Sequence, residues 1–479
     1  MANGTILTLG LYFALMLAIG VYAWRKSTAD ADDYMLGGRQ VGPAVTALAA
    51  GAADMSGWLM MGLPGALYAT GLAESWIAIG LFIGALLNWI IVAPRLREQT
   101  VSVGDALTIP EFLGKKFRDH SNVLRLVSSA VIILFFTLYS SSGLVAGGKL
   151  FQSAFGADYT TGLWITAGVV VAYVVMGGFL AVSLTDFVQG TIMVMALVGV
   201  PLVAYGTLGS GQSLTQTLNA IDPNLLSFTQ GTTALGIISA AAWGLGYFGQ
   251  PHIIVRFMGI KSVADIPTAR NIGMAWMAFC MIGALAIGLV GRAWTTANGM
   301  TLADPETIFV EMAKTLLSPA LYGFVLAAIL AAVMSTISAQ LLVTSSSLTE
   351  DVYRLFLNKQ ASEKQVVMIG RICVVLVALV ALVLAWNPEN SVLGLVANAW
   401  AGFGAAFGPV IILALTWPRM TRNGALAGMV VGALTVLIWT RLGWSSALYE
   451  IVPGFLAAWI AVVGVSLAGR TDLNQHKEK

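Results

Sequence analysis

The sequence predicts an all-α polytopic membrane protein. Three observations carry that prediction: 58% of the 479 residues are hydrophobic, only 10% are charged, and apolar runs of the roughly 20 residues needed to cross a ~30 Å hydrocarbon core recur along the whole chain. A mean hydropathy of +0.83 excludes the soluble multidomain protein that this length would otherwise suggest. No ten-residue alternating pattern of a membrane β-barrel is present. The 25 Lys and Arg nearly balance the 23 Asp and Glu, so the composition gives no reason to expect a nucleic-acid partner.

The apolar runs divide into thirteen spans near 4–24, 42–69, 73–93, 124–150, 160–181, 185–206, 232–258, 271–292, 318–348, 366–386, 392–417, 424–442 and 447–468. The first has no positive charge before it and Arg25 and Lys26 after it, the reverse of a secretory leader, so it reads as a true helix. With the N-terminus outside, 21 of the 25 basic residues fall on the cytoplasmic side, leaving Lys149, Arg292, Lys314 and Arg441 outside. Positive residues are retained inside, so the split supports an N-out, C-in topology. What remains is a Ser/Thr/Gln-rich external stretch at 207–231, a loop at 293–317 and a cytoplasmic loop at 95–123. None is large enough for an ATPase domain, and no GxxxxGK[ST] phosphate loop occurs. The ten-residue tail RTDLNQHKEK leaves no room for a signalling module. Cys280 and Cys373 lie in apolar runs without CxxC spacing and read as core packing. His120, His252 and His476 are scattered singly, so neither metal nor triad chemistry is indicated and an enzyme is not expected.

Interrupted hydrophobic segments at corresponding positions of two halves point to a transport site. The second span contains GAADMSGW, Gly51 to Trp58, and the seventh contains WGLGYFGQP, Trp243 to Pro251. Each opens a five-helix unit, 42–206 and 232–417. Unwound backbone inside a bilayer is tolerated only around a protein-lined cavity; the plainer alternative is close packing mediated by glycine. Gly244, Gly246 and Gly249 spell GxGxxG, but without the strand a dinucleotide site requires. Asp54 lies mid-span, where an ionised group costs about 3 kcal/mol; it either bonds amides freed by the break or acts with a cation. Asp186 follows Thr185 at the start of the sixth span and is either a favourable helix-start charge or functional. In the ninth span, AAVMSTISAQLLVTSSS puts the Ala332 carbonyl beside the hydroxyls of Ser335 and Thr336 on one helical face. Those hydroxyls either bond back along their own helix or, with oxygens from elsewhere, hold a small hard cation.

At these residues the chain resembles the sodium/solute symporter family over almost its full length. The likeness runs through DDYMLGGR at 32–39, GAADMSGWLMMGLPGA at 51–66, ESWIAIG at 74–80, YVVMGGFLAV at 173–182, WGLGYFGQPHIIVRF at 243–257 and AVMSTISAQLLV at 332–343. The Gly177–Gly178 element matches a signature of the whole family, and the long matches in the second, seventh and ninth spans point to its proline-transporting branch. The resemblance implies an inverted repeat of leucine-transporter type, five helices plus five, with one helix before and two after. The units would be residues 1–41, 42–206, the external loop 207–231, 232–417, 418–469 and a cytoplasmic tail 470–479.

The resemblance also implies one co-transported sodium ion, held by the carbonyls of Ala52, Met55 and Ala332 and the hydroxyls of Ser335 and Thr336. Asp54, Ser56 and Asp186 would be linked to the ion, and Arg39 to gating. L-proline would meet Trp58, Tyr139, Trp243, Tyr247, Gln250 and Pro251. The chemistry suits it, since aromatic faces attract a secondary ammonium and freed half-helix amides bind a carboxylate.

The expected function is therefore sodium-coupled proline import across a bacterial plasma (inner) membrane by alternating access, with no obligatory protein partner. The rival readings are a sodium- or proton-coupled symporter for another amino acid, a sugar or pantothenate, a transporter-like membrane sensor, or a channel. The topology has a direct test in a background free of Cys280 and Cys373. Asn3→Cys should react with a membrane-impermeant maleimide added to intact cells, and Arg118→Cys only after permeabilisation. The opposite pattern would invert the orientation.

Overall fold

Apolar residues three and four apart give the first helix, Asn3–Lys26, its inward face. Leu9, Tyr12, Met16, Gly20 and Ala23 are buried, while Ile6, Leu7, Leu11 and Leu15 on the other side are exposed. A helix apolar all round with one packed face is what a lipid-facing span requires. The structure, a computed structural model, describes residues 3–26, 30–208, 213–387, 389 and 391–475, with side chains to residue 469. Parts of the segment between the first two predicted spans and of the 207–231 stretch, and the end of the tail with His476, lie outside the described residues.

Among the described residues every regular element is helical, and the sole β feature is an isolated bridge between Val41 and Ile260. Ten helices among the described residues are long and apolar enough to cross a membrane. One of them, Tyr159–Thr207, has 49 residues, about 74 Å at 1.5 Å per residue, far too long for a single crossing. It breaks at Gly178, whose backbone (φ 53°, ψ −140°) is open to glycine alone. The sequence reading ended the fifth span at 181 and began the sixth at 185; the turn comes earlier, where the glycine pair permits it.

Both interruptions expected from the sequence are present. Helix Pro43–Asp54 stops at Met55 (φ −74°, ψ 71°), and the chain resumes through a wide π-helical turn, Trp58–Gly62, into Leu63–Thr70. Helix Ala234–Ala241 tightens into a 3₁₀ run, Ala242–Gly249, passes through extended Gln250 (φ −88°, ψ 102°), and restarts with proline at the head of Pro251–Gly259. Proline fits the first turn of a helix because its missing N–H is unneeded there. The GxGxxG glycines therefore sit in a tight helical run with no preceding strand.

Two helices occupy the centre. The most apolar stretch of the hydroxyl-rich helix with its continuation, Pro319–Leu357, is 83% buried and that of Val392–Thr416 is 89% buried, against 28% for Asn3–Lys26 and 33% for the last span. The first broken helix and Tyr159–Thr207 pack against the hydroxyl-rich helix, and the 3₁₀ run packs between Val392–Thr416 and Ser75–Leu87. Arg422–Arg441 and Ile451–Gln475 pair with each other at the periphery. Cys280 is buried and Cys373 half-buried, and both are free thiols.

The glycine break has a measurable consequence. A Cβ at Gly178 would lie 2.5 Å from the Tyr34 carbonyl oxygen, and the backbone conformation itself costs other residues about 1–3 kcal/mol. Gly178→Ala should lower both the amount of protein in the membrane and the melting temperature of the purified protein. An unchanged melting temperature would contradict this account of the break.

Candidate functional site

The end of the first broken helix meets the middle of the hydroxyl-rich helix. The Ser335 hydroxyl donates toward the Ala52 carbonyl at 2.7 Å and the Ala332 carbonyl at 3.0 Å, and Thr336 Oγ1 reaches the Ala332 carbonyl at 3.3 Å. Met55, three residues after Ala52 at the break, is wholly buried. Both ordinary back-bonding and an inter-helix contact are thus realised, because Ser335 has two acceptors within reach. The structure brings Ala52, Ala332, Ser335 and Thr336 together as neutral oxygens from two elements, a donor set that suits a small hard cation.

Asp54 joins the two broken helices. Its Oδ2 accepts a hydrogen bond from the Tyr247 hydroxyl, and its backbone carbonyl accepts from Trp58 Nε1 at 2.9 Å. Its other carboxylate oxygen is buried with no hydrogen-bond partner among the described residues. The Ser56 hydroxyl oxygen accepts from the Trp58 amide at 3.4 Å. Buried acceptors normally find donors, so the lone oxygen of Asp54 is an unmet acceptor beside the break.

The predicted aromatic residues surround this crossing. Trp58 and Trp243 lie 6.4 Å apart between ring centroids, and Tyr139 meets His252 edge-on at 5.8 Å. Gln250 donates to the Trp400 carbonyl at 3.1 Å, and Pro251 begins the next half-helix. The sequence reading passed over Trp400, which organises the group. Its Nε1 donates to the Trp243 carbonyl at 2.7 Å, and its ring meets Tyr247 edge-on at 5.2 Å. Gly246 is required there, since a Cβ would collide with Trp400 Nε1. Tyr449 was also missed; it stacks on Trp243 at 5.3 Å and donates to the Ala397 carbonyl at 2.7 Å. The only sequence signal for Trp400 was its place in a glycine-rich apolar run, ANAWAGFGAAFG, 397–408.

Asp186 lies elsewhere. With the break at Gly178, it sits about two turns into the second half of its helix, beyond the first turn where a helix-start charge acts. The helix-start reading is therefore corrected. Asp186 is fully buried and pairs with Arg256 at 3.0 Å, whose guanidinium also donates to Ser183 at 2.9 Å and lies over Phe179. Arg256, counted in the sequence with the loop cations, is thus an interior residue. A buried pair of this kind leaves no net charge, which is how an ionised Asp is accommodated.

Cavities open at both ends of the 33-residue helix Val123–Phe155. One of about 650 Å³ is lined by Asp32, Arg39, Asp105, Glu111, Arg125 and Glu350 among others. The other, about 690 Å³, is lined by Lys149, Asp304, Glu306 and Glu389 among others. Arg39 donates to the Ala106 carbonyl at 2.9 Å and lies 3.6 Å from Asp32 and 3.9 Å from Asp105. Burial pushes the Asp32 carboxyl above its ordinary range, against the opposing pull of the Arg39 guanidinium.

The bond between Asp54 and Tyr247 can be tested by itself. Tyr247→Phe leaves a buried carboxylate without its donor, a loss of about 1–3 kcal/mol. We expect the sodium concentration for half-maximal transport to rise about tenfold or more. An unchanged sodium requirement would show that this bond does not support the site.

Residues 34–432 match the profile of the sodium:solute symporter family. The chain is 57% identical over 452 residues to the high-affinity proline transporter PutP of Bacillus subtilis (strain 168), covering 94% of this chain and 95% of the relative. It is 55% identical over 464 residues to the osmoregulated proline transporter OpuE of the same organism, with coverages of 96% and 94%. A sodium/proline symporter of Staphylococcus aureus (strain JH9) is 50% identical over 493 aligned positions, with coverages of 99% and 96%. Among solved structures, a Na+-coupled sialic acid symporter in a substrate-bound outward-open state superposes with a TM-score of 0.83 at 19% identity, over 98% of each chain. Mhp1, a nucleobase-cation-symport-1 family transporter, gives 0.57 at 13% identity, over 93% of this chain and 96% of its own. These likenesses establish the leucine-transporter-type helical fold. The chain belongs to the sodium:solute symporter family.

Proposed function

We propose that this protein imports L-proline by sodium symport through alternating access. The carrying observation is its identity of 50–57% over nearly the whole chain to proteins named as proline transporters or sodium/proline symporters. The geometry supports the reading. Oxygens of Ala52, Ala332, Ser335 and Thr336 converge where one helix is broken, with Met55 at the break supplying a further carbonyl. Sodium there would take the place of the hydrogen bonds that now link these hydroxyls to the carbonyls, the hydroxyls keeping their protons and turning them away from the ion. Asp54 ties that position to Tyr247, so an ion bound on one side orders the aromatic group on the other.

In this reading Trp58, Tyr139, Trp243 and Tyr247 hold the proline ring and its ammonium. Gln250 and the unwound backbone before Pro251 offer hydrogen bonds to the carboxylate. Asp186 and Arg39 belong to the ion path and its inner gate. Residues 42–206 and 232–417 are the two inverted five-helix units, with 1–41 before them, 207–231 as the external connection, 418–469 after them and 470–479 as the tail. The chain makes thirteen crossings of a bacterial plasma membrane, with the N-terminus outside. The break at Gly178 supports that number by dividing the longest helix in two.

Sodium binds from outside, the proline pocket is completed, the two units rock, and both solutes leave inward. Each positive charge moved down about 100 mV gains about 2.3 kcal/mol, enough for roughly fiftyfold accumulation before any sodium gradient is added.

Purified protein in liposomes should take up labelled proline when sodium is outside and should not do so without it. Uptake that ignores sodium, or that other amino acids or sugars compete for more strongly than proline, would overturn the reading. Ser335→Ala and Thr336→Ala should each raise the sodium concentration for half-maximal uptake by about tenfold or more, because each removes an oxygen from a site with few. An unchanged sodium dependence in both variants would move the ion elsewhere.

A further inference from the structure

Below the crossing, the hydroxyl-rich helix presents Ala339, Leu342, Val343, Ser346 and Ser347 toward a closed gap of about 10 Å³. These positions are three and four apart and form one continuous helical face. That face starts about one turn after Thr336, and Glu350, one turn beyond Ser346 and Ser347, lines the 650 Å³ cavity. Across the gap stand Leu107, Thr108, Ile109 and Pro110, and Leu107 also lines the large cavity. The 106–110 segment therefore lies between the gap and the cavity.

The segment is tied down from both sides. Arg39 donates to the Ala106 carbonyl at 2.9 Å. On the other side, Thr108 caps helix Ile109–Lys116 by accepting from the Glu111 amide at 3.1 Å, and the same hydroxyl donates to Asp351 at 2.9 Å. Asp351 is fully buried. It also accepts from Arg125 Nε at 2.5 Å and from Ser347 at 3.0 Å. It lies within an 11-residue π-helical run, Ser347–Leu357, that directly continues the hydroxyl-rich helix. Wide turns of this kind are rare and concentrate at functional sites.

We propose that Asp351 is a positioning residue of the transport cycle: through Thr108, and braced by Arg125, it holds the 106–110 segment across the inner path, and release of Thr108 opens that path. The inference rests on the alternating-access reading and on its orientation. It gives the hydroxyl-rich helix two tasks, since its middle carries the proposed ion ligands and its π-helical end holds the inner closure. Arg125 keeps Asp351 neutralised whether or not Thr108 is bound, so the latch can open without stranding a buried charge.

The test uses the full chain with Cys280→Ser, Cys373→Ser and Ala339→Cys, in inside-out vesicles containing sodium and no proline. The rate at which an impermeant maleimide labels the single thiol introduced at position 339 reports access from the cytoplasmic face. Thr108→Val and Asp351→Asn should each raise that rate by about tenfold, the scale of one hydrogen bond to a charged group, and Thr108→Ser should restore the slow rate. Proline uptake is measured in parallel. If the variants reach the membrane and label at the rate of the background, the latch is refuted while the transport reading stands. If the background shows no sodium-dependent uptake, the transport reading falls whatever the labelling. Should Asp351→Asn fail to accumulate, the comparison of Thr108→Val with Thr108→Ser decides the outcome alone.

Discussion

Inside a bilayer, a backbone amide or carbonyl that leaves its helix must find a partner within the protein. This chain breaks two helices within its buried core, and much of its centre answers the groups thereby freed. The Ala52 carbonyl is met by Ser335, the Asp54 carbonyl by Trp58, and the Trp243 carbonyl by Trp400. Those contacts fix which helices are central: the hydroxyl-rich helix and Val392–Thr416 are the most buried spans because they supply the partners. Glycine at 246 follows from the same demand, since Trp400 could not otherwise reach the Trp243 carbonyl.

The charges obey a related constraint. Asp54, Asp186 and Asp351 are fully buried, and each is met differently. Asp186 is neutralised by Arg256, and Asp351 by Arg125 with two hydroxyl donors, so both can serve as structural anchors. Asp54 has a tyrosine hydroxyl and an unpartnered oxygen, with no cation among its hydrogen-bond partners. A buried carboxylate left in that state is costly, and a sodium ion nearby would remove the cost. The same argument explains why proline and sodium would travel together, because the ion completes the electrostatics of a residue bonded to the aromatic pocket.

Much of this was legible in the sequence, for identifiable reasons. Glycine and proline punctuate a helix locally, so Gly51 to Trp58 and Trp243 to Pro251 announced the breaks. The spacing of Ala332, Ser335 and Thr336 is a property of one helix, so their shared face could be read from the chain alone. Trp400, Tyr449 and Arg256 were not legible, because their roles arise from contacts across distant elements. Arg256 looked like a loop cation lying at the end of an apolar run. Asp351 lies just past the hydroxyl-rich run, and its partners Thr108 and Arg125 come from more than two hundred positions away. The turn at Gly178 was misplaced because the apolar run continues past it, and only backbone geometry marks the change of direction.

The central claim is that ion and substrate share one free-energy balance through the contact of the two broken helices. Linkage requires that coupling to be reciprocal. The most direct measurement is therefore calorimetric titration of the purified protein, giving the proline dissociation constant with and without sodium and the sodium dissociation constant with and without proline. The account predicts that sodium tightens proline binding about tenfold or more and that proline tightens sodium binding by the same factor. Proline binding that is indifferent to sodium would contradict it.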